Sequence, residues 1–256
     1  MRSAYDISGF NELPFYERIS AMKLLLLLPL TLILFTISYP QDVSPKLLRM
    51  PEYIISPVAS AAGIDGKLGV LVWVKKDGSV DRAEAYSGPM WPCSAEPKSE
   101  LAAVRSGAVE AVKKAQFSPA LKDGKPEDME ILLTMLVGEA YENKKRYAAE
   151  KKASANDQPA AKASLIQGGV INGKAISLPK PDYPRDLMSG ARPQGKVDVE
   201  VLIDENGSVI SAGAVNGDPL LQEASRKSAC KARFSPTRLS GNPVKVSGIV
   251  TYNFVP

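Results

Sequence analysis

Histidine is absent from this 256-residue sequence. Its absence removes the commonest general base and the commonest metal ligand together. Carboxylates, lysine and serine remain, yet no nucleophile–base pair, phosphate-cradling glycine loop or metal cluster can be read from the chain. Neither an enzyme nor a cofactor is expected. Cysteine is scarce: Cys93 and Cys230 are the two present, too few for a zinc site. An excess of one charge is lacking as well. Lys+Arg 32 against Asp+Glu 28 leaves +4, and no run is basic enough for a nucleic-acid groove. No apolar stretch reaches the roughly 20 residues that a membrane-spanning helix needs.

An apolar stretch of lesser length is there. Lys23 precedes an unbroken run from Leu24 to Ile37, which fits the apolar core of an export signal. Thr36 and Ser38 supply small residues ahead of a cleavage point expected between Ser38 and Asp42. An uncleaved anchor over residues 24–38 is the alternative. Residues 1–21 read as an upstream extension without structure, and 22–41 as the signal peptide or short membrane anchor. Export implies an oxidising compartment, where Cys93 and Cys230 could pair. Cys230 falls in a helical stretch and is expected there as a small buried residue, with the Cys93–Cys230 bridge left open.

The rest of the chain repeats itself. Gly66–Val74 followed by Lys75–Val80 answers Gly195–Ile203 followed by Asp204–Val209 over the same interval. Phe117-Ser118-Pro119 answers Phe234-Ser235-Pro236, and Gly124-Lys125-Pro126 answers Gly241-Asn242-Pro243. Upstream, Pro51-Glu52-Tyr53 answers Pro181-Asp182-Tyr183. The first copy carries an insertion between Gly88 and Val104 that holds Pro89, Trp91, Pro92 and Cys93. Self-similarity in this order predicts one supersecondary unit used twice, in domains at 47–138 and 178–256. Between them, 139–177 begins Lys/Ala-rich and turns Gly/Asn-rich, as a charged helix and a flexible linker would.

Local patterning gives the unit its form. Val197, Val199, Val201 and Ile203 alternate with Asp198, Glu200 and Leu202, the period of a half-buried strand. Asp204-Glu205-Asn206-Gly207 is a hairpin turn, since Asn-Gly supplies positive φ. It lacks the oxygen ligands and terminal Glu of a calcium loop. Val209–Val215 returns as a second strand. A helix from about Pro219 places Leu221, Ser225, Ser228, Ala229 and Ala232 on one face. Val104, Ala108, Ala111, Val112 and Ala115 do the same in the first copy. Phe-Ser-Pro is expected to stop each helix. Val244 to Phe254 alternates as the last strand. The fold class is therefore α+β, with two small domains that each pack one helix on a three-stranded antiparallel sheet. The second sheet face is apolar in copy one (Leu71, Trp73, Leu132, Leu136) and polar in copy two (Asp198, Glu200, Ser247, Thr251). Copy one should hide it beneath the Trp91 insertion, the charged helix or a second chain, whereas copy two should leave it to water.

As a set, the residues of copy two resemble the C-terminal domain of the TonB family of energy transducers. The resemblance runs from Leu178-Pro179-Lys180-Pro181-Asp182-Tyr183-Pro184 through the Gly-x-Val-x-Val-x-Val strand, the Asp-x-x-Gly turn, the helix, Phe-Ser-Pro and Gly-x-Pro-Val. Copy one is similar more faintly, lacking Pro after Tyr53. The resemblance implies a periplasmic module, secreted or anchored to the inner membrane by residues 24–38. Such a module engages an outer-membrane TonB-dependent receptor by pairing its last strand with a short receptor segment. The implied contact residues are Val244, Lys245, Val246, Ser247, Gly248, Ile249, Val250, Thr251, Tyr252 and Asn253, with Tyr183 and Pro184 in the flanking segment. Family energisers carry an N-terminal membrane helix with a functional His, and this chain has no His. It is thus expected either to couple inner-membrane energy to transport, with proton-channel partners, or to bind only. A homodimer is a further option. The alternative function is structural: envelope self-association or peptidoglycan binding without energy transduction.

Overall fold

The computed structural model describes residues 42–153, 166–184 and 192–255. The extension, the signal segment with its cleavage point, and the middle of the linker lie outside the described residues. The first half runs β1 (Leu47–Arg49), α1 (Pro57–Ala61), β2 (Gly66–Val74), β3 (Val80–Ser87), β4 (Trp91–Pro92) and α2 (Lys98–Lys113). It continues through β5 (Gln116–Phe117), β6 (Ala120–Lys122), β7 (Lys125–Glu127), β8 (Met129–Val137) and α3 (Gly138–Ala153). The second half runs β9 (Ile166–Val170), β10 (Ala175–Ser177), β11 (Gly195–Ile203), β12 (Val209–Asn216) and α4 (Pro219–Cys230). It closes with β13 (Arg233–Phe234), β14 (Arg238–Leu239), β15 (Asn242–Pro243) and β16 (Val246–Phe254).

These elements make the mixed α+β structure that the patterning predicts. One sheet has the order β3-β2-β8, all antiparallel. The other has five strands, β4-β12-β11-β16-β9, where three were expected. Its two additions come from elsewhere in the chain: β4 from the Trp91 insertion and β9 from the linker. The central pairs match closely. β2 against β3 shifts register at Gly69/Val70 and Trp73/Val74; β11 against β12 shifts at the corresponding Asp198/Val199 and Leu202/Ile203.

The repeated Gly and Phe share a physical reason. Gly78 and Gly207 close their hairpins with φ of 81° and 84°, a region that favours glycine. Each receives the Phe that follows the helix: Phe117 N–H donates to the Gly78 carbonyl at 2.9 Å, and Phe234 N–H to that of Gly207 at 2.8 Å. A Cβ on either glycine would overlap the backbone carbonyl of that same Phe. The Asp204 carboxylate serves the turn itself, accepting from Ser208 N–H at 2.7 Å and Asn206 N–H at 3.0 Å.

Each half has its own apolar core. Leu68, Val70, Val72, Val104, Ala108, Val112 and Phe117 pack in the first; Val197, Val199, Val201, Leu221, Ala229, Val250 and Phe254 pack in the second. Complete burial of one such valine is worth about 1.5–3 kcal/mol. Asp218 caps α4 by accepting from Leu220 N–H at 2.9 Å, with Pro219 in the first turn. Both helices end before Phe-Ser-Pro, at Lys113 and Cys230. The chain must leave the helix early because the Phe backbone is needed on the hairpin glycine. Ala115 and Ala232 therefore lie buried beyond the helix ends.

Residues 42–256 form one compact unit, and the insertion ties its halves together. Trp91 and Pro92 pair with Ala212 and Ser211 of β12. The Arg226 guanidinium stacks 3.7 Å from the Trp91 ring centroid and donates to the Ala212, Trp91 and Pro92 carbonyls. Gln222 reaches back to the Tyr86 carbonyl at 2.9 Å. Cys93 is bonded to Cys230, with Cα atoms 5.5 Å apart. Cys230 is thus one end of a cross-link rather than a lone small core residue, because the insertion brings Cys93 alongside β12.

The second sheet faces also differ from expectation. In copy two they are mostly covered: the side chains of Asp198 and Glu200 are 14% and 12% exposed. Lys67 of β2 reaches Glu200 Oε1 at 3.1 Å, and Thr251 donates to Asp198 at 2.7 Å. The first half sits where water was expected. In copy one, Trp73 is overlain by the neighbouring Arg82 guanidinium at 3.7 Å, while Leu132 stays 45% exposed. Trp91 belongs to the opposite, helix-covered face.

A candidate strand-pairing edge

β16 holds most of the residues implied by the resemblance. It starts at Val246, two residues later than expected, because Val244 N–H donates to Thr237 O at 2.9 Å beside the β14–β15 hairpin. Lys245 is exposed there. Along β16 the side chains alternate. Val246, Gly248, Val250, Tyr252 and Phe254 take the core face, while Ser247, Ile249, Thr251 and Asn253 take the other. One backbone edge pairs with β11 over its full length, Gly195↔Phe254 to Ile203↔Val246.

The other edge is the one an incoming strand would need, and the linker lies on it. β9 runs parallel to β16, with Val246↔Ile166, Ser247↔Gln167 and Ile249↔Val170. Ile171 N–H donates to the Ile249 carbonyl at 2.9 Å. Asn172 then makes two bonds to Thr251: its Oδ1 accepts from Thr251 N–H at 2.8 Å, and its Nδ2 donates to the Thr251 carbonyl at 2.6 Å. Ile249 and Thr251 therefore both turn their backbone groups to this outer edge. Ile171 is 4% exposed and fills the space over Gly248, where a Cβ would come 2.7 Å from its Cδ1.

Tyr183 stands at the end of the strand rather than along the edge. Its ring meets Phe254 edge-on at 6.1 Å, and its hydroxyl donates to the Pro193 carbonyl at 2.9 Å. Pro184 follows, half-buried. Burial pushes the Tyr252 hydroxyl far above the usual phenol range, and that oxygen has no hydrogen-bond partner among the described residues. The structure thus gathers Val246–Asn253 on one strand and sets Tyr183 against its far end. Ile171 and Asn172 escape a sequence reading. Asn172-Gly173 carries a linker's composition, and the only hint of a strand is the β-branched pair Val170-Ile171 after two glycines.

Residues 179–256 match the family model described as Gram-negative bacterial TonB protein C-terminal. The matched stretch takes in β11 to β16, with this strand as its last element. No curated protein and no solved structure matches the chain. Among the described residues, no helix is long and apolar enough to cross a membrane.

Proposed function

We propose that this chain is a periplasmic protein-binding module that engages a short extended segment of an outer-membrane receptor along the outer edge of β16. It binds rather than catalyses. One observation carries the reading: in a domain matched to the TonB C-terminal family, that edge already accepts an extended parallel strand, β9. Backbone pairing supplies the affinity of such a contact, and alternate side chains its specificity. The backbone groups of Ser247, Ile249 and Thr251 would receive the segment, with Val244 and Lys245 at its entry and Asn253 at its exit. The receptor segment must take the place of β9, so the linker sets a threshold for binding. Coupling to inner-membrane energy is a further step, and it requires the anchor over residues 24–38 to persist.

The test is binding of receptor N-terminal peptides to the full chain, with and without Ile171→Ala and Asn172→Ala together. Loosening β9 should raise affinity at least tenfold. If neither protein binds any peptide, or if the parent and the variant bind equally well, the β16 edge is not the receptor site.

A further inference from the structure

The first half presents the same edge without a strand on it. Among the described residues β8 pairs with β2 alone. Its place matches that of β16, since each pairs with its central strand over nine residues without a shift. By that match, Glu130, Leu132 and Thr134 stand where Ser247, Ile249 and Thr251 stand on β16. Their backbone N–H and C=O groups therefore point away from β2.

Those of Thr134 open onto a groove of about 580 Å³ at the C-terminal end of β8. Leu133, Thr134, Met135 and Leu136 all line it. Side chains alternate across a strand, so four consecutive residues can border one groove only along the strand's edge. The segment Leu47–Tyr53 forms one wall, and Tyr141, Lys144, Lys145 and Ala148 of α3 form the other. Apolar surface stands open here, with Leu47 42% and Leu48 67% exposed, and Leu132 further along β8 is 45% exposed.

Charge narrows the occupant. Arg49, Lys144 and Lys145 line the groove against a single acid, Glu52. Glu52 Oε1 is already engaged, by Lys145 Nζ at 2.8 Å and the Tyr141 hydroxyl at 2.9 Å. Among the described residues, Arg49 and Lys144 thus face the groove with no acidic partner.

We propose that this groove is a second peptide-binding edge, which takes an extended protein segment with apolar side chains and an acidic residue. The segment pairs with β8 as β9 pairs with β16, its apolar side chains on Leu47, Leu48 and Leu133 and its carboxylate at Arg49 and Lys144. This site does not rest on the role proposed for the β16 edge. Its recognition is set by α3, whose Tyr141, Lys144 and Lys145 form one wall.

The experiment uses the full chain and two synthetic probes: the sequence of Ile166–Asn172 with two aspartates added at one end, and the same with two lysines. The Asp probe should slow amide exchange at Glu130, Leu132 and Thr134, and should bind at least tenfold more tightly than the Lys probe. Lys144→Glu should reverse that preference. Leu48→Ser, at an exposed position, should weaken both probes at least fivefold. Protection confined to Ser247–Thr251 would overturn the proposal while leaving the β16 edge in play. Equal binding of both probes, or no protection on β8, would overturn it as well.

Discussion

Asn172 clasps Thr251 on both sides, its amide oxygen taking the backbone N–H and its amide nitrogen giving to the carbonyl. A single side chain thereby reproduces what one residue of a neighbouring strand would do. The Asn172→Ala variant loses both bonds, each worth about 0.5–1.5 kcal/mol. Hydrogen exchange at the Thr251 amide should accelerate roughly tenfold. Exchange at Val199, on the central strand, should stay unchanged.

Proline reads the two edges of β16 separately. Ile249 and Thr251 face β9, so Ile249→Pro or Thr251→Pro removes a donor from the outer ladder and leaves β11 paired. Both variants should keep native circular dichroism and lose peptide binding. Val250 faces β11, and Val250→Pro should cost about 3 kcal/mol or more and unfold the second half. Unchanged binding by both folded outer-edge variants would show that the ligand pairs elsewhere.

The Cys93–Cys230 bond closes a loop across a separation of 137 residues. Cross-links over long loops stabilise mainly by restricting the unfolded chain, typically by about 2–4 kcal/mol. Cys93→Ser with Cys230→Ser should lower stability toward urea by that amount. A midpoint equal to that of the parent would mean that the Arg226–Trp91 and Gln222–Tyr86 contacts hold the junction unaided.

Tyr252 buries a hydroxyl that has no partner among the described residues. Such a group costs its desolvation, about 1–3 kcal/mol. Tyr252→Phe keeps the ring in the core and removes that cost, so the melting temperature should rise. A fall would reveal a bridging water on that oxygen.

Asp65 accepts from Ala140 N–H at 2.7 Å, at the start of α3, and burial raises its pKa above the ordinary aspartate value. The folded state therefore takes up a proton at higher pH than the unfolded chain does. Stability falls as pH rises through the window just above the normal aspartate range. Asp65→Asn keeps the acceptor oxygen and removes the charge. Its stability should lose that slope just above the ordinary aspartate range while α3 remains helical.

Much of this architecture was legible in the sequence because it rests on local rules. The period of Val197, Val199 and Val201 places a strand and its buried face. Gly207 and Phe234 reveal the hairpin and the helix exit because one backbone geometry requires both. The edges were not legible. β4 and β9 become strands only by lying against β12 and β16, and two-residue or glycine-interrupted segments carry no period of their own. Gln222 and Arg226 are polar and lie outside the helix stripe of Leu221, Ser225 and Ala229, yet they are buried because the other half of the molecule covers them. The same cover explains why Asp198 and Glu200, so polar in pattern, are nearly closed to water. Val246 to Asn253 lie on one strand, as their alternation predicts, but what already lies beside them could not be read from that strand.

The bond between Cys93 and Cys230 also defines a route for mechanical load. A pull applied at Asp42 and resisted at the C-terminal half could travel along α3 and the linker to β11. It has a shorter covalent path, from the insertion through sulfur into the end of α4. Under tension the linker and β9 are bypassed, and traction arrives at the helix that packs on β12. The two halves stay covalently joined through the sulfur bridge even if the linker gives way.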